Sequence, residues 1–107
     1  MAKATVRYPA EWEEQAATWL AFPHNKKNWY GERGEMIRKF YINLIRTISE
    51  FQPVNVLIPK KDFLTTEEKI AVADRPYPAS FFTIKTDDIW IRDYGPFFLK
   101  KGKETIV

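Results

Sequence analysis

Between Glu35 and Phe51, apolar side chains recur at three- and four-residue steps: Met36, Ile37, Phe40, Tyr41, Leu44, Ile45, Ile48 and Phe51. Arg38, Lys39, Asn43, Arg46, Thr47 and Glu50 fill the other positions. A helix with one face on a core produces this period, and Pro53 marks its end by pushing the residue before it out of the helical region. Shorter apolar runs lie on either side. Ala16 to Phe22 is rich in β-branched and aromatic residues and stops at Pro23, which favours a buried strand. The segment His24 to Gly34, with Asn25, Asn28, Gly31 and Gly34, reads as a loop, and Met1 to Tyr8 as a leading arm closed by Pro9.

The pattern continues towards the C-terminus. Val54 to Ile58 is an apolar run closed by Pro59 and reads as a second strand. Asp62 or Thr65–Thr66 can cap a second helix reaching about Ala73, with Glu67 and Glu68 favourably placed in its first turn. Pro76 and Pro78 break the chain, Phe81 to Ile84 forms a third strand, and Ile89–Trp90–Ile91 a further apolar run. Phe97–Phe98–Leu99 opens a hairpin that turns at Lys101–Gly102–Lys103 and returns through Glu104 to Val107. Strands alternating with helices predict an α/β arrangement. A natural domain rarely ends inside an apolar strand, so a truncated domain is the expectation. There is no internal repeat and no low-complexity segment.

Composition narrows the class. In 107 residues, 45% hydrophobic and 16% aromatic content allows a real core, and a net charge of +3 is too small for disorder driven by charge. The close lysine pairs, Lys26–Lys27, Lys60–Lys61 and Lys100–Lys101, are scattered through turn-like settings. A nucleic-acid footprint gathers its basic residues on one face or stripe, so solvated loops are the better reading of these pairs. The chain contains no cysteine, which excludes disulfides, cysteine-bearing zinc sites and a thiol nucleophile within it. No run approaches the roughly 18 apolar residues of a membrane-spanning helix, and no secretion signal is evident. The expected setting is cytoplasmic.

Candidate chemistry concentrates in Thr86–Asp87–Asp88–Ile89–Trp90–Ile91–Arg92–Asp93–Tyr94–Gly95–Pro96, where three carboxylates and a guanidinium alternate with large apolar side chains. If 88–92 is extended, Asp88, Trp90 and Arg92 share one face and Ile89, Ile91 and Asp93 the other. An acid at the end of an apolar strand, just before Gly95–Pro96, is placed to line a pocket. There it can take a guanidinium through two charge-assisted hydrogen bonds. A structural pair, Asp93 with Arg92 or Asp88 with Arg92, explains the same residues from chemistry alone.

The stretch Trp90–Ile91–Arg92–Asp93–Tyr94–Gly95–Pro96, preceded by Asp87–Asp88, resembles the tryptophan–x–arginine–aspartate signature of agmatine deiminases and bacterial-type peptidyl-arginine deiminases. A second block agrees with it. Pro9–Ala10–Glu11–Trp12–Glu13, then Ala17 to Asn25 and Trp29, resembles the N-terminal block of that family. The resemblance implies a pentein-type α/β propeller, a fan of five ββαβ-type units. Residues 1–107 would be the N-terminal part of a single deiminase domain, about the first unit and part of the second. It implies hydrolysis of a guanidine, most directly agmatine to N-carbamoylputrescine and ammonia on a route to putrescine, with peptidyl arginine as the alternative substrate. An inactive binding module is a further alternative, because the nucleophilic cysteine and proton-transferring histidine of the family belong to later motifs. The chain by itself is therefore expected to be inactive.

Residue by residue, the resemblance carries over Asp93 as the catalytic, guanidinium-binding aspartate. Trp90 is carried over as a substrate-binding residue flanking the planar cation, while a core tryptophan remains an equal reading of it. Arg92 would anchor the loop, since a second cation beside a cationic substrate repels it. His24 is the only histidine and is expected to be structural, and Trp12, Trp19 and Trp29 are expected to pack the first unit. No metal or organic cofactor is implied. The implied partner is a small guanidine, with no nucleic acid and no membrane. A homo-oligomer of the full-length protein stays open.

Overall fold

In the computed structural model, residues 5–24, 29–86, 88–89, 91 and 95–107 are described. The chain divides into two compact units, Gln15–Ile91 and a smaller one formed by Met1–Glu14 with Arg92–Val107.

The larger unit is built on a three-stranded sheet of β2 (Thr18–Ala21), β3 (Val54–Ile58) and β4 (Ala79–Thr83), in that order. Both pairings are parallel, with Thr18 opposite Val54 and Val54 opposite Ala79. α1 (Gly31–Ile48) connects the first pair and α2 (Thr66–Val72) the second. Parallel neighbours need such crossovers, and crossovers of one hand along a sheet that grows in one direction put both helices on one face. The core matches that geometry. Val54, Val56 and Ile58 of β3 are buried with Tyr41, Ile42 and Ile45 of α1, Val72 of α2, Phe22 and Leu64.

Prolines set the ends of these strands. Pro53 and Pro78 stand immediately before β3 and β4, where a missing N–H does no harm to the ladder. Their carbonyls still accept, from Thr18 N–H at 2.9 Å and from Val54 N–H at 3.0 Å. At the other end, Phe22 N–H donates to Leu57 O at 2.9 Å and Ile84 N–H to Ile58 O at 3.0 Å, extending the pairing one residue past the strands.

Several expectations are corrected here. α1 begins at Gly31, four positions before the periodic run, so part of the segment read as a loop is helical. Gly31 has φ +57°, a conformation glycine enters without strain, and Glu32 in the first turn suits the helix dipole. Met36, Phe40 and Phe51, counted with the core side, are 70%, 58% and 73% exposed. The rotation of about 100° per residue explains the first two: each precedes a core-facing residue, Ile37 or Tyr41, and so turns away from it. Phe51 lies beyond the helix. Arg38 and Arg46, assigned to the solvent side, are partly buried. Trp12 is exposed rather than packed, and Trp19 is partly exposed and stacks on Phe82 of β4.

The smaller unit holds a three-stranded antiparallel sheet, β1 (Val6–Arg7), β5 (Leu99–Lys101) and β6 (Glu104–Ile106), with β5 in the middle. The leading arm thus contributes a short edge strand, pairing Val6 with Lys101. Lys100 and Lys101 lie in that central strand, not in a turn. The hairpin turns on two residues, Gly102 and Lys103, and Gly102 supplies the positive φ (60°) that a tight hairpin asks of its first turn position. The Arg7 guanidinium donates to both Glu13 oxygens at 2.8 Å, and Ala10 N–H donates to Glu13 Oε2 at 2.6 Å. The bond from Ala10, aided by Arg7, holds the exposed Glu13 carboxyl below the usual glutamate range.

Candidate functional site

In an open parallel sheet, ligands are taken up outside the carboxyl ends of the strands. Here that edge carries Phe22–Pro23–His24 after β2, Pro59–Lys60 after β3, and Ile84–Lys85–Thr86 after β4. The acidic segment singled out in the sequence follows directly from Thr86. Asp93 and Trp90, the candidate catalytic and substrate-binding residues, lie outside the described residues, as do Asp87, Arg92 and Tyr94. Both structural pairs considered for Arg92 therefore lie outside them too.

The described part of the segment is not extended. Asp88 and Ile89 lie in a bend and Ile91 is helical, so strict alternation of faces does not apply there. Asp88 Oδ1 accepts from the N–H of Ile89 at 2.7 Å, which favours a turn over a strand at this position. Ile89 packs against the core cluster. A short polar side chain competing for the adjacent backbone N–H is the physical reason that Asp88 and Ile89 bend instead of extending as a strand.

Two side chains meet across the sheet edge. His24 Nε2 and Thr86 Oγ1 are 3.2 Å apart, joining the ends of β2 and β4 over 62 residues of chain. The imidazole also meets the Phe63 ring edge-on, with centroids 6.4 Å apart. His24 thus has a specific partner in Thr86 that no local pattern indicated.

Behind this edge lies an aromatic cluster with one cation. Phe22 packs against Tyr41 and Phe63, with centroids at 5.6 and 5.2 Å. The Arg38 guanidinium sits 4.2 Å from the Phe63 ring centre and 5.3 Å from that of Phe22. Arg38 donates from Nε and Nη2 to the two Glu68 oxygens, both at 2.7 Å, and from Nη2 to Phe63 O. Burial pushes the Glu68 carboxyl up, but hydrogen bonds from Arg38 and from the Thr65 backbone outweigh it and leave the group below its ordinary value. The fork geometry and the aromatic face are how a guanidinium is held when water is scarce. In this cluster the cation belongs to the protein, and its effect is to clasp α1 to α2. Sequence reading missed the clasp. The available signal was helical spacing, since Arg38 stands three and four residues before the buried Tyr41 and Ile42.

A second feature is an open apolar groove of about 280 Å³ between β4 and α2, lined by Ile58, Leu64, Val72, Ala79 and Phe81 with Lys61 and Lys69 at its rim. Its lining, among the described residues, includes no carboxylate. Among the described residues, no helix is long and apolar enough to cross a membrane.

Comparison with known proteins settles the family. The model of the Porphyromonas-type peptidyl-arginine deiminases matches residues 7–107. The chain belongs to that family. It is similar to the agmatine deiminase of Pseudomonas putida (strain F1), 30% identical over 94 residues that cover 88% of this chain and 24% of that protein. The agmatine deiminase of Ectopseudomonas mendocina is 27% identical over 95 residues, covering 89% and 24%. Among solved structures, the C. jejuni agmatine deiminase superposes with a TM-score of 0.73 at 28% identity, over 94% of this chain and 30% of that one. A structure from Porphyromonas gingivalis gives 0.66 at 20% identity, over 94% and 29%, a likeness of fold. The chain spans about a quarter of the length of the curated relatives it matches. The mixed α/β architecture agrees with both structures.

Proposed function

We propose that this chain is the N-terminal part of a guanidine-hydrolysing deiminase domain, acting on agmatine to give N-carbamoylputrescine and ammonia. The observation that carries the reading is the family match across residues 7–107, which includes the Trp90–Ile91–Arg92–Asp93 signature. The named relatives favour agmatine as the substrate. In this reading the parallel βαβ unit and the hairpin-bearing unit belong to a five-unit pentein fan, and the domain continues past these 107 residues.

The role of this chain is to hold the substrate. A guanidinium drawn out of water requires paired anions, because a buried unpaired charge costs several kcal/mol. Asp93 supplies one such carboxylate, accepting two N–H bonds from the planar cation, and Trp90 offers its ring face to the same group. Covalent attack on the guanidinium carbon needs a thiolate. The 107 residues contain no cysteine, so that nucleophile is supplied by another part of the enzyme.

The test uses the complete protein and measures ammonia release from agmatine. Asp93→Asn removes one partner of a charge pair, a loss of about 3–5 kcal/mol in comparable buried pairs, so kcat/KM should fall about a hundredfold or more with Tm unchanged. Near-normal turnover by that variant would remove Asp93 from the site. A second reading follows from the family name itself: the substrate is arginine within a peptide. Comparing agmatine with an arginyl peptide decides between them. Absence of turnover on either, with the protein folded, would leave an inactive binding module.

A further inference from the structure

The bond between His24 and Thr86 is placed where it can govern the site. β4 ends at Thr83, and the last ladder bond of its extension is Ile84 N–H to Ile58 O. Lys85 is exposed. Thr86 is thus the next tethered residue as the chain leaves the sheet, and it stands four positions before Trp90 and seven before Asp93. On the other side, His24 is not a loose loop residue. It follows Phe22, which is fully buried, and Pro23, also buried, and its ring is braced edge-on by Phe63. Phe63 is in turn covered by the Arg38 guanidinium. A rigid β2 end therefore holds the exit of β4 through one hydrogen bond, whether the hydroxyl donates to a neutral ring nitrogen or the ring N–H donates to the hydroxyl oxygen.

We infer that His24 is a positioning residue, which fixes Thr86 and thereby the departure of the carboxylate-bearing segment from the sheet. This rests on the role proposed for Asp93. If the exit point shifts, the carboxylate clasps the guanidinium less well in both the ground state and the transition state. KM then rises as well as kcat falling. A merely structural role has a different signature, because lost folded protein lowers the apparent kcat and leaves KM alone.

The experiment measures KM and kcat for agmatine, per folded enzyme, in the complete protein and in Thr86→Val, Thr86→Ser, His24→Ala and the Thr86→Val/His24→Ala double variant. Loss of one net hydrogen bond predicts a rise in KM of about three- to tenfold for Thr86→Val and His24→Ala. The double variant should be no worse than either single one, and Thr86→Ser, which keeps the hydroxyl, should restore the wild-type KM. Unchanged KM in Thr86→Val and His24→Ala, or additive losses in the double variant, overturns the inference. Should His24→Ala fail to fold, the contrast between valine and serine at position 86 still decides. Asp93→Asn separates the two claims. If that variant is crippled while Thr86→Val binds normally, only the positioning role fails; if it turns over normally, the reading of the site fails first.

Discussion

The Arg38–Glu68 pair links position to energetics, because both side chains are mostly buried, 27% and 15% exposed, and the carboxylate is doubly bonded. Replacing Glu68 by Gln removes the charge and leaves the guanidinium with the Phe63 carbonyl and the aromatic faces. Bonds to charged groups contribute about 1.5–3 kcal/mol, so Glu68→Gln should lower stability by about 1–2 kcal/mol at neutral pH. The pH dependence has a defined sign. A carboxyl whose folded value lies below its unfolded one stabilises fully above the unfolded value, about 4.3 for glutamate. That contribution is lost as pH falls through the lowered folded value. Denaturant midpoints of wild type and Glu68→Gln should therefore differ above about pH 5 and converge as the solution becomes more acidic. A constant gap across that range would show that Glu68 titrates normally in the folded chain.

At the scale of elements, α2 depends on its cap. It is about two turns of helix, marginal by itself, and Thr65 closes a capping box: its hydroxyl accepts from Glu68 N–H at 3.1 Å while Glu68 Oε1 accepts from Thr65 N–H at 2.8 Å. Thr65→Ala should destabilise by about 1 kcal/mol, read as a shift in denaturant midpoint, with Thr65→Ser close to wild type. That cap was legible because its chemistry is local, and so were β3, flanked by Pro53 and Pro59, and the hairpin around Gly102. The start of α1 was not, since Gly31 and Gly34 are poor helix formers by propensity and point to a loop. Nor could periodicity separate Met36 and Phe40 from Ile37 and Tyr41, because the choice of buried face rests on what packs there. Asp88 and Ile89 bend instead of extending for a local reason, the Asp88 side chain bonding to the next backbone N–H. For the site, sequence supplied the residue types, while the His24–Thr86 bond joins positions far apart in the chain and has no sequence signature.

For the molecule as a whole, the faces left uncovered matter most. Parallel sheets are normally covered on both sides, yet both helices of the larger unit lie on the side of Val54, Val56 and Ile58. On the opposite side, Trp19 and Phe82 reach over β3 from the flanking strands and stack with centroids 5.6 Å apart at 27°. They remain 41% and 42% exposed. Met36, Phe40 and Phe51 add further exposed apolar surface, and β2 and β4 are the outer strands of their sheet. Large apolar patches and open edges drive association. The 107-residue chain by itself should therefore elute from size-exclusion columns at a concentration-dependent position, larger than a monomer at high concentration. Trp19→Ser with Phe82→Ser should weaken that association while the Val56–Ile45 core still gives a melting transition. The stacked pair, not the edges, would then be the main adhesive. A sharp monomer peak at every concentration, with a cooperative melt, would show instead that this chain is stable with an exposed sheet face.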